Sequence, residues 1–146
     1  MDSTGSARPV EEPCVRTSRV KVMRPEFVDA VLGIAAMVPT GQVLTYGDVA
    51  ELLGAGGPRQ VGRVMSLYGS EVAWWRIVRA DGTLPDGLAE RALPHYEEER
   101  TPLSALGLSS YRVAMRRARW FPSDSDLARI EVLSRKLSEP AAGMEQ

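Results

Sequence analysis

The amino-acid sequence predicts a small α/β domain, mostly helical, with the element order of a winged helix-turn-helix. The chain has 146 residues, 44% of them hydrophobic and 25% charged, which is the make-up of one globular domain. Apolar residues recur at helical spacing in three segments up to about residue 67, and a glycine-rich turn at 54–57 separates the last two. From Trp74 onward the residues are typical of strands instead.

The first helix is predicted to begin at Pro25, because proline is favoured in the first turn of a helix. It ends at the stop formed by residues 39–41, Pro-Thr-Gly. Residues 1–22 are rich in Ser, Thr, Pro and charge and show no periodicity, so we expect a disordered lead-in there. The apolar positions of the helix are Phe27, Val28, Val31, Leu32, Ala35 and Val38.

The second and third helices flank the glycine-rich turn. A short extended piece, Val43-Leu44, precedes the second helix, for which Thr45 and Asp48 have the spacing of a capping box. Pro58 is well placed to open the third helix, which we expect to reach about Leu67. The apolar side of the second helix consists of Val49, Ala50, Leu52 and Leu53.

The next part of the chain is predicted to form a two-stranded wing. Residues 74–80 are its first strand, Asp81-Gly82 its hairpin turn, and Thr83-Leu84 its returning strand. A helix is expected over residues 88–100, in which Pro94 should break or restart the helix.

A further short strand is predicted at residues 111–115, followed by a terminal amphipathic helix at residues 124–138. This helix packs on the domain, dimerises or binds a partner, and the sequence does not rank these three roles. The predicted organisation is a lead-in at 1–22, a folded domain at 23–122, and the helix with its tail at 123–146. The apolar face of the terminal helix is Leu127, Ile130, Leu133 and Leu137.

Composition excludes several classes of protein. No apolar run approaches the roughly 18–20 residues of a membrane span, and the first residues lack the apolar region of a secretory signal, so we expect an intracellular protein. Cys14 is the only cysteine and cannot form an internal disulfide. His95 is the only histidine and, despite Glu97, Glu98 and Glu99 nearby, has no second ligand at a useful spacing, so no metal is expected.

The net charge of −1 hides two basic segments. Residues 57–80 carry four arginines against one glutamate, and residues 111–120 carry four arginines and no acid. Arginine suits bidentate contacts to phosphate and stacking on bases, although a high-GC codon bias would also raise the arginine total. Two interpretations stay open for the second segment, a phosphate-contacting patch and a solvated charged face, formed by Arg112, Arg116, Arg117 and Arg119.

The strongest signal is a pair of segments in fixed order. Residues 39–65 read PTGQVLTYGDVAELLGAGGPRQVGRVM, and residues 73–82 read AWWRIVRADG. Together they resemble the C-terminal DNA-binding domain of the O6-alkylguanine-DNA alkyltransferases, the methylated-DNA–cysteine methyltransferase family, over about residues 25–120. The family pattern runs P-x-G-x-V-x-T-Y-G-x-[IV]-A, then R-x-V-G-x-A-M, then P-C-H-R-V, and its first two parts match here at nearly every position. The resemblance is in particular to the alkyltransferase-like proteins, which lack the acceptor cysteine.

The resemblance implies that Tyr46 crowds the phosphate beside a target nucleotide and promotes its rotation out of the duplex. Arg59 is implied to fill the vacated space in the base stack, and the helix from Pro58 to enter the minor groove. The blander interpretations are a Tyr46 that packs below a helix start and an Arg59 in a surface ion pair. The DNA-binding residues carried over are Thr45, Tyr46, Arg59, Gln60, Gly62, Arg63 and Ser66.

The sequence departs from the family pattern where the transfer chemistry would occur. Ala73-Trp74-Trp75-Arg76-Ile77 replaces P-C-H-R-V, so Trp74 stands at the acceptor position and Trp75 at the histidine position. An indole cannot accept an alkyl group by displacement, and a thiol nucleophile needs an activating base. Because neighbouring strand residues face opposite sides, we expect Trp74 at the pocket and Trp75 turned elsewhere. The base pocket is assigned to Trp74, Trp75, Arg76 and Ile77.

The resemblance therefore implies a non-enzymatic protein without a cofactor, located in the cytoplasm at the nucleoid. It would bind alkylated double-stranded DNA, flip an O6-alkylguanine-type lesion, and flag it for nucleotide excision repair proteins. Two other functions stay open. One is a winged-helix regulatory module that reads intact duplex and flips nothing. The other is a base-flipping glycosylase, which would need a general base such as Asp81 or Asp86 near the pocket.

Overall fold

The computed structural model describes residues 24–108 and 110–138. The predicted lead-in, with Cys14, and the tail from residue 139 lie outside the described residues. The helices are α1 (Pro25–Met37), α2 (Tyr46–Leu53), α3 (Pro58–Tyr68), α4 (Ala89–Glu99), α5 (Met115–Ala118) and α6 (Asp124–Ser138). The strands are β1 (Leu44–Thr45), β2 (Ile77–Val78), β3 (Leu103–Ala105) and β4 (Tyr111–Val113), and two 3-10 turns cover Gly69–Glu71 and Trp74–Arg76.

The first three helices and the predicted fold class, a mostly helical α/β domain with a helix-turn-helix, are confirmed. Pro25 and Pro58 stand in the first turns of α1 and α3, where their missing N–H groups cost nothing. Between α2 and α3, Gly56 has φ +71°, and a Cβ on it would lie 2.9 Å from Cζ of Phe27. Only glycine allows the turn to lie this close to α1.

Two apolar clusters hold the fold together. The first lies between α1, α2, α3 and α6, and the second lies under α4 and the short strands. Because α4 and the β2 region share the second cluster, they form a rigid support for the segment around Trp74. The most buried members are Val31, Ile34, Ala35, Val49, Val61 and Val64 in the first cluster and Val43, Val78, Ala92, Tyr96 and Ala118 in the second.

The predicted wing at residues 74–84 is wrong. These residues are all described, and they contain one strand, β2, which pairs in parallel with β1 through Leu44 and Ile77. Asp81-Gly82 does form the predicted turn, with the Gly82 N–H bonded to the Arg79 carbonyl at 2.8 Å. The antiparallel pair is instead β3 with β4, further along the chain. Tertiary pairing has overridden the local strand preference of the Trp-rich run.

Pro94 does not break α4, which runs continuously from Ala89 to Glu99. Its ring removes one donor to the carbonyl of Glu90, four residues earlier. Both residues are exposed, so water can solvate the carbonyl that loses its partner. The expectation of a break at Pro94 is therefore wrong for a position on the solvent side of the helix.

The terminal helix α6 has its predicted bounds and packs on the domain, the first of its three predicted roles. Ile130 is 2% exposed, and the Ser134 hydroxyl donates to the Leu53 carbonyl at 2.8 Å. Leu127, predicted on the apolar face, is 42% exposed. Among residues 24–108 and 110–138, no helix combines the length and the apolar character that crossing a membrane requires.

Candidate nucleic-acid interface

The start of α2 fixes the position of Tyr46. The predicted capping box is present: Thr45 Oγ1 accepts from the Asp48 N–H at 2.9 Å, and Asp48 Oδ2 accepts from the Thr45 N–H at 3.0 Å. Arg119 Nε donates to the same Asp48 oxygen at 3.1 Å, so the cap is tied to the segment before α6. Thr45 is 3% exposed and its side chain serves the cap. What it contributes is the placement of Tyr46 as the first residue of the helix.

The ring of Tyr46 lies against Gly62 on α3. A Cβ added to Gly62 would lie 3.6 Å from Tyr46 Cε2, which is ordinary van der Waals contact. Burial raises the pKa of Tyr46, and the positive charge of Arg79 lowers it by less. The phenol therefore remains protonated at neutral pH and keeps a donor for an external acceptor.

Helix α3 turns one polar face outward. Arg59, Arg63 and Ser66 are exposed at helical spacing, whereas Val61 and Val64 are buried. With Arg59 in the first turn and no acidic residue there, the side-chain charge and the helix dipole are both positive at this end. That arrangement does nothing for the stability of the helix and favours an external anion.

Gln60 has an additional structural role, and Arg59 lacks the ion pair that was its blander interpretation. Gln60 Oε1 accepts from the Gly57 N–H at 2.9 Å and so closes the start of α3, although the residue itself is exposed. Arg59 forms no ion pair with any other described residue, so the surface ion pair considered for it is not present in this part of the chain.

A cavity of about 340 Å³ lies between α3, the Trp74 turn and the start of α4. This volume is at the lower end of the range for small-ligand sites, roughly 300–1,000 Å³. Exposed residues such as Ser66, Ser70 and Asp86 stand on its wall, so the cavity communicates with solvent. The lining residues are Tyr46, Gly62, Met65, Ser66, Gly69, Ser70, Trp74, Ile77, Leu84, Pro85, Asp86, Leu88 and Arg91.

Trp74 is held in the cavity wall by aromatic and cationic neighbours. The Arg91 guanidinium lies 5.3 Å from the centre of the Trp74 ring, within cation–π range. Trp75 meets the same ring edge-on, with centroids 5.5 Å apart. His95 stacks face to face on Trp75 at 3.6 Å. Among the described residues, no three His, Cys, Asp or Glu side chains come together as a metal ion would require.

Trp75 and Arg76 are both held by Glu99 at the end of α4. Trp75 Nε1 donates to Glu99 Oε2 at 2.9 Å, and Arg76 Nη2 forms an ion pair with the same oxygen at 2.6 Å. Gly41 N–H donates to Glu99 Oε1 at 3.0 Å. Burial alone would raise the pKa of Glu99, but these hydrogen bonds outweigh it, so the pKa lies below its ordinary value.

The structure thus divides the four residues predicted for the base pocket. Trp74 and Ile77 line the cavity, and Trp75 and Arg76 are engaged on Glu99 instead. Trp74 lines the cavity and Trp75 does not, as expected. The reason given for this is wrong, because Trp74–Arg76 is a 3-10 turn and not a strand, and both indole rings contact His95.

Several lining residues were missed in the sequence. Met65 and Gly69 follow Gly62 at helical spacing, so the periodicity of α3 contained that signal. Leu88 and Arg91 come from a distant helix, and no local pattern points to them. Of the two candidate bases, Asp86 lines this cavity and Asp81 lines a different one.

The sequence that forms this site matches a known protein family. Residues 26–100 match the family model described as the 6-O-methylguanine DNA methyltransferase, DNA binding domain. A "DNA base-flipping protein" of Escherichia coli (strain K12) is 37% identical over 102 residues, 64% of this chain and 74% of that protein. "Alkyltransferase-like protein 1" of Schizosaccharomyces pombe is 29% identical over 104 residues, 66% of this chain and 96% of that protein.

Two solved structures share the fold. S. pombe Atl1 in complex with damaged DNA containing O6-carboxymethylguanine superposes with a TM-score of 0.59 at 28% sequence identity. S. pombe ATL in complex with DNA gives the same TM-score at 30% identity. Each likeness covers 66% of this chain and 96% of the other.

Proposed function

The chain belongs to the family of the 6-O-methylguanine DNA methyltransferase DNA-binding domain, and from this membership we propose that it recognises damaged DNA without catalysing repair. It binds the duplex through α3 and accepts a flipped O6-alkylguanine-type lesion in the cavity beside Trp74. The observation that carries this proposal is the cavity itself, which is lined by Ser66 from the exposed face of α3 and by the half-buried Gly62. A base leaving the duplex next to α3 would enter it directly.

Two side chains are suited to the flipping step. Tyr46 lies at the cavity with its phenol protonated, and can press on and hydrogen-bond to the backbone beside the target nucleotide. Arg59, exposed and without an ion pair among the described residues, can enter the vacated stack. Extrusion costs a few kcal/mol, and least for a poorly paired, damaged base. Stacking of a guanidinium on the neighbouring bases recovers part of that.

The cavity wall favours binding over alkyl transfer. Trp74 lines the cavity with an apolar indole, against which a purine can pack, and this ring has no nucleophilic atom that could displace an alkyl group. Trp75 is bound to Glu99 through the only proton its ring nitrogen has, and an indole N–H is a donor only. A protein that leaves the lesion intact needs a second system to remove it, so we propose that the bound complex flags the lesion for nucleotide excision repair proteins.

The test is a titration of two matched duplexes that differ only in one O6-methylguanine. We expect tighter binding to the lesion duplex, together with a fluorescence increase from 2-aminopurine placed beside the lesion, which reports unstacking. Equal affinity for the two duplexes without unstacking would favour the regulatory alternative.

The same mixtures decide the glycosylase alternative. Among the described residues that line the cavity, Asp86 is the only one with a carboxylate, and a base-excising enzyme would use it as the general base. We expect no abasic sites after prolonged incubation of lesion duplex with the protein. Strand breaks on alkali treatment that disappear in Asp86→Asn would establish excision instead.

A further inference from the structure

A second cavity, of about 650 Å³, lies outside the proposed lesion site. Its wall carries three exposed arginines, Arg112 on β4 and Arg116 and Arg117 on α5, here called the arginine cluster. One carboxylate, Asp81, lines the same cavity. Three positive charges against one negative charge leave an excess of two positive charges on this wall.

The arginine cluster differs from the fourth arginine of the same basic segment. Arg119 is occupied internally, because its Nε donates to Asp48 at 3.1 Å. The three members of the cluster form no ion pair with any other described residue. An exposed and unpaired guanidinium keeps its planar fork of N–H donors for an external anion.

Asp81 forms no ion pair with any member of the cluster. Its Oδ1 accepts from the N–H of Thr83 at 3.0 Å and from the Thr83 hydroxyl at 2.6 Å. These hydrogen bonds hold the pKa of Asp81 below its ordinary value. The carboxylate is used to fix the turn before Thr83, and the arginines face solvent without it.

The arginine cluster is connected to Tyr46 through β1 and β2. Thr45 and Val78 are partners in this parallel pair. The residues that follow them are Tyr46 and Arg79, and the positive charge of Arg79 is near enough to act on the Tyr46 phenol, whose pKa it lowers. Arg79 is exposed, so a positive charge stands beside the residue proposed to press on the DNA backbone.

The chain then leads from Arg79 directly to the cluster. Ala80 and Asp81 line the second cavity. The turn they belong to is fastened to the strand that carries Arg112, because the Val113 N–H donates to the Gly82 carbonyl at 2.9 Å. Arg79 and the arginine cluster thus lie on either side of a fixed turn, whose own charged residue is Asp81.

We propose that the arginine cluster binds backbone phosphates of the duplex next to the flipped nucleotide, on the side that continues from Tyr46 through Arg79. This inference rests on the proposed function, which determines where the DNA lies on the protein. The ligand is the phosphodiester backbone of double-stranded DNA, since the cluster continues a surface already assigned to DNA. Contacts of this kind add affinity irrespective of base sequence and release counterions.

The experiment compares salt dependence in the full chain and in Arg116→Ala/Arg117→Ala. Each phosphate contact contributes about −0.9 to the slope of log affinity against log salt, so the double variant should have a slope shallower by up to about 1.8. Both the lesion and the intact duplex should lose affinity equally. Ethylation interference should show that phosphates on one side of the lesion, required by the wild-type protein, are no longer required by the variant.

Two controls distinguish the effect of the positive charges in the arginine cluster from the effect of positive charge elsewhere on the protein. Arg129→Ala/Lys136→Ala removes two positive charges from exposed positions on α6 and should leave the slope and the interference pattern unchanged. Arg116→Lys/Arg117→Lys keeps the charges and should retain the wild-type slope, which excludes misfolding as the cause.

An unchanged slope and interference pattern in the double alanine variant would overturn the inference. The proposed function fails by a different result, an equal affinity of the wild-type protein for lesion and intact duplexes. The two outcomes are read from different comparisons, so the failure of one is distinguishable from the failure of the other.

Discussion

Arg59 and Arg63 lie one turn apart on the exposed face of α3 and offer a matched test of flipping. Arg59→Ala should weaken binding to the lesion duplex by about 1–2 kcal/mol, roughly five- to thirty-fold, because only the flipped state offers it a gap to stack in. Arg63→Ala removes the same charge and should weaken both duplexes equally. Competition titrations with both duplexes measure the two ratios. Equal losses for Arg59→Ala on both duplexes would reduce Arg59 to a phosphate contact.

Trp74 and Trp75 should each block methyl transfer in a different way. Trp74→Cys alone should not restore methyl transfer from O6-methylguanine. A thiol with a pKa near 8.5 is only a few per cent thiolate at neutral pH, and Trp75 cannot take its proton. Trp74→Cys/Trp75→His should transfer faster, because a histidine ring in the place of Trp75 could donate one N–H to Glu99 and leave the other nitrogen to act as a base.

Single-turnover transfer of labelled methyl to protein measures this difference. Trp75→His alone is the control, since it has the base and no thiol and should transfer nothing. Rapid transfer by Trp74→Cys alone would show that Trp75 is not a second block.

At the scale of elements, Glu99 joins α4 to the turn that carries Trp74. Its lowered pKa means that its contribution to stability is present above the ordinary glutamate pKa of 4.5 and is lost as the pH falls below it. Glu99→Gln should destabilise the protein at pH 7 by about 1–3 kcal/mol, since hydrogen bonds from charged Arg76 are weakened. The free energy of unfolding of the Glu99→Gln variant should change less between pH 6 and acidic pH than that of the wild-type protein.

Urea unfolding at a series of pH values checks the Glu99 prediction. Glu97→Gln, on the exposed side of the same helix, is the control and should follow the wild-type curve. Identical pH profiles for Glu99→Gln and the wild type would remove Glu99 as the group that ties α4 to the turn.

The elements that the sequence predicted correctly are those with local causes. Pro25 and Pro58 open helices and the Thr45–Asp48 box caps one, all through atoms within a few residues. The prediction of a wing at residues 74–84 was wrong because the structure of this segment depends on residues far away in the chain. Strand β2 pairs with β1, and Glu99 holds Trp75. No local pattern contains such distant contacts, and the same limit hid the α4 side of the cavity.

At the scale of the whole molecule, α6 completes the apolar core with one of its faces. Ile130 is 2% exposed against α1 and α2, whereas Leu127 on the same helix is 42% exposed. Ile130→Ala should lower the free energy of unfolding by about 2–5 kcal/mol. Leu127→Ala should change it by no more than about 0.5 kcal/mol. Thermal unfolding of both variants measures the contrast. A similar loss in both would mean that α6 does not pack through the face seen here.

The distribution of charge over the molecule determines how salt should affect its affinity for DNA. The net charge is −1, yet Arg63, Arg79 and the arginine cluster are exposed and unpaired among the described residues. If these five arginines each neutralise one phosphate, log affinity should fall with log salt at a slope of about −4.5.

The preference for a lesion should not follow that slope. In the proposed function the preference arises in the cavity lined by Trp74, where a flipped base would meet an apolar wall and no further phosphate would be neutralised. We therefore expect parallel lines for lesion and intact duplexes, with a constant ratio of affinities from low to high salt. Anisotropy titrations of both duplexes across the salt range measure both quantities. A slope near zero would remove DNA as the ligand, and lines that converge as salt rises would place the preference on phosphate contacts rather than in the cavity.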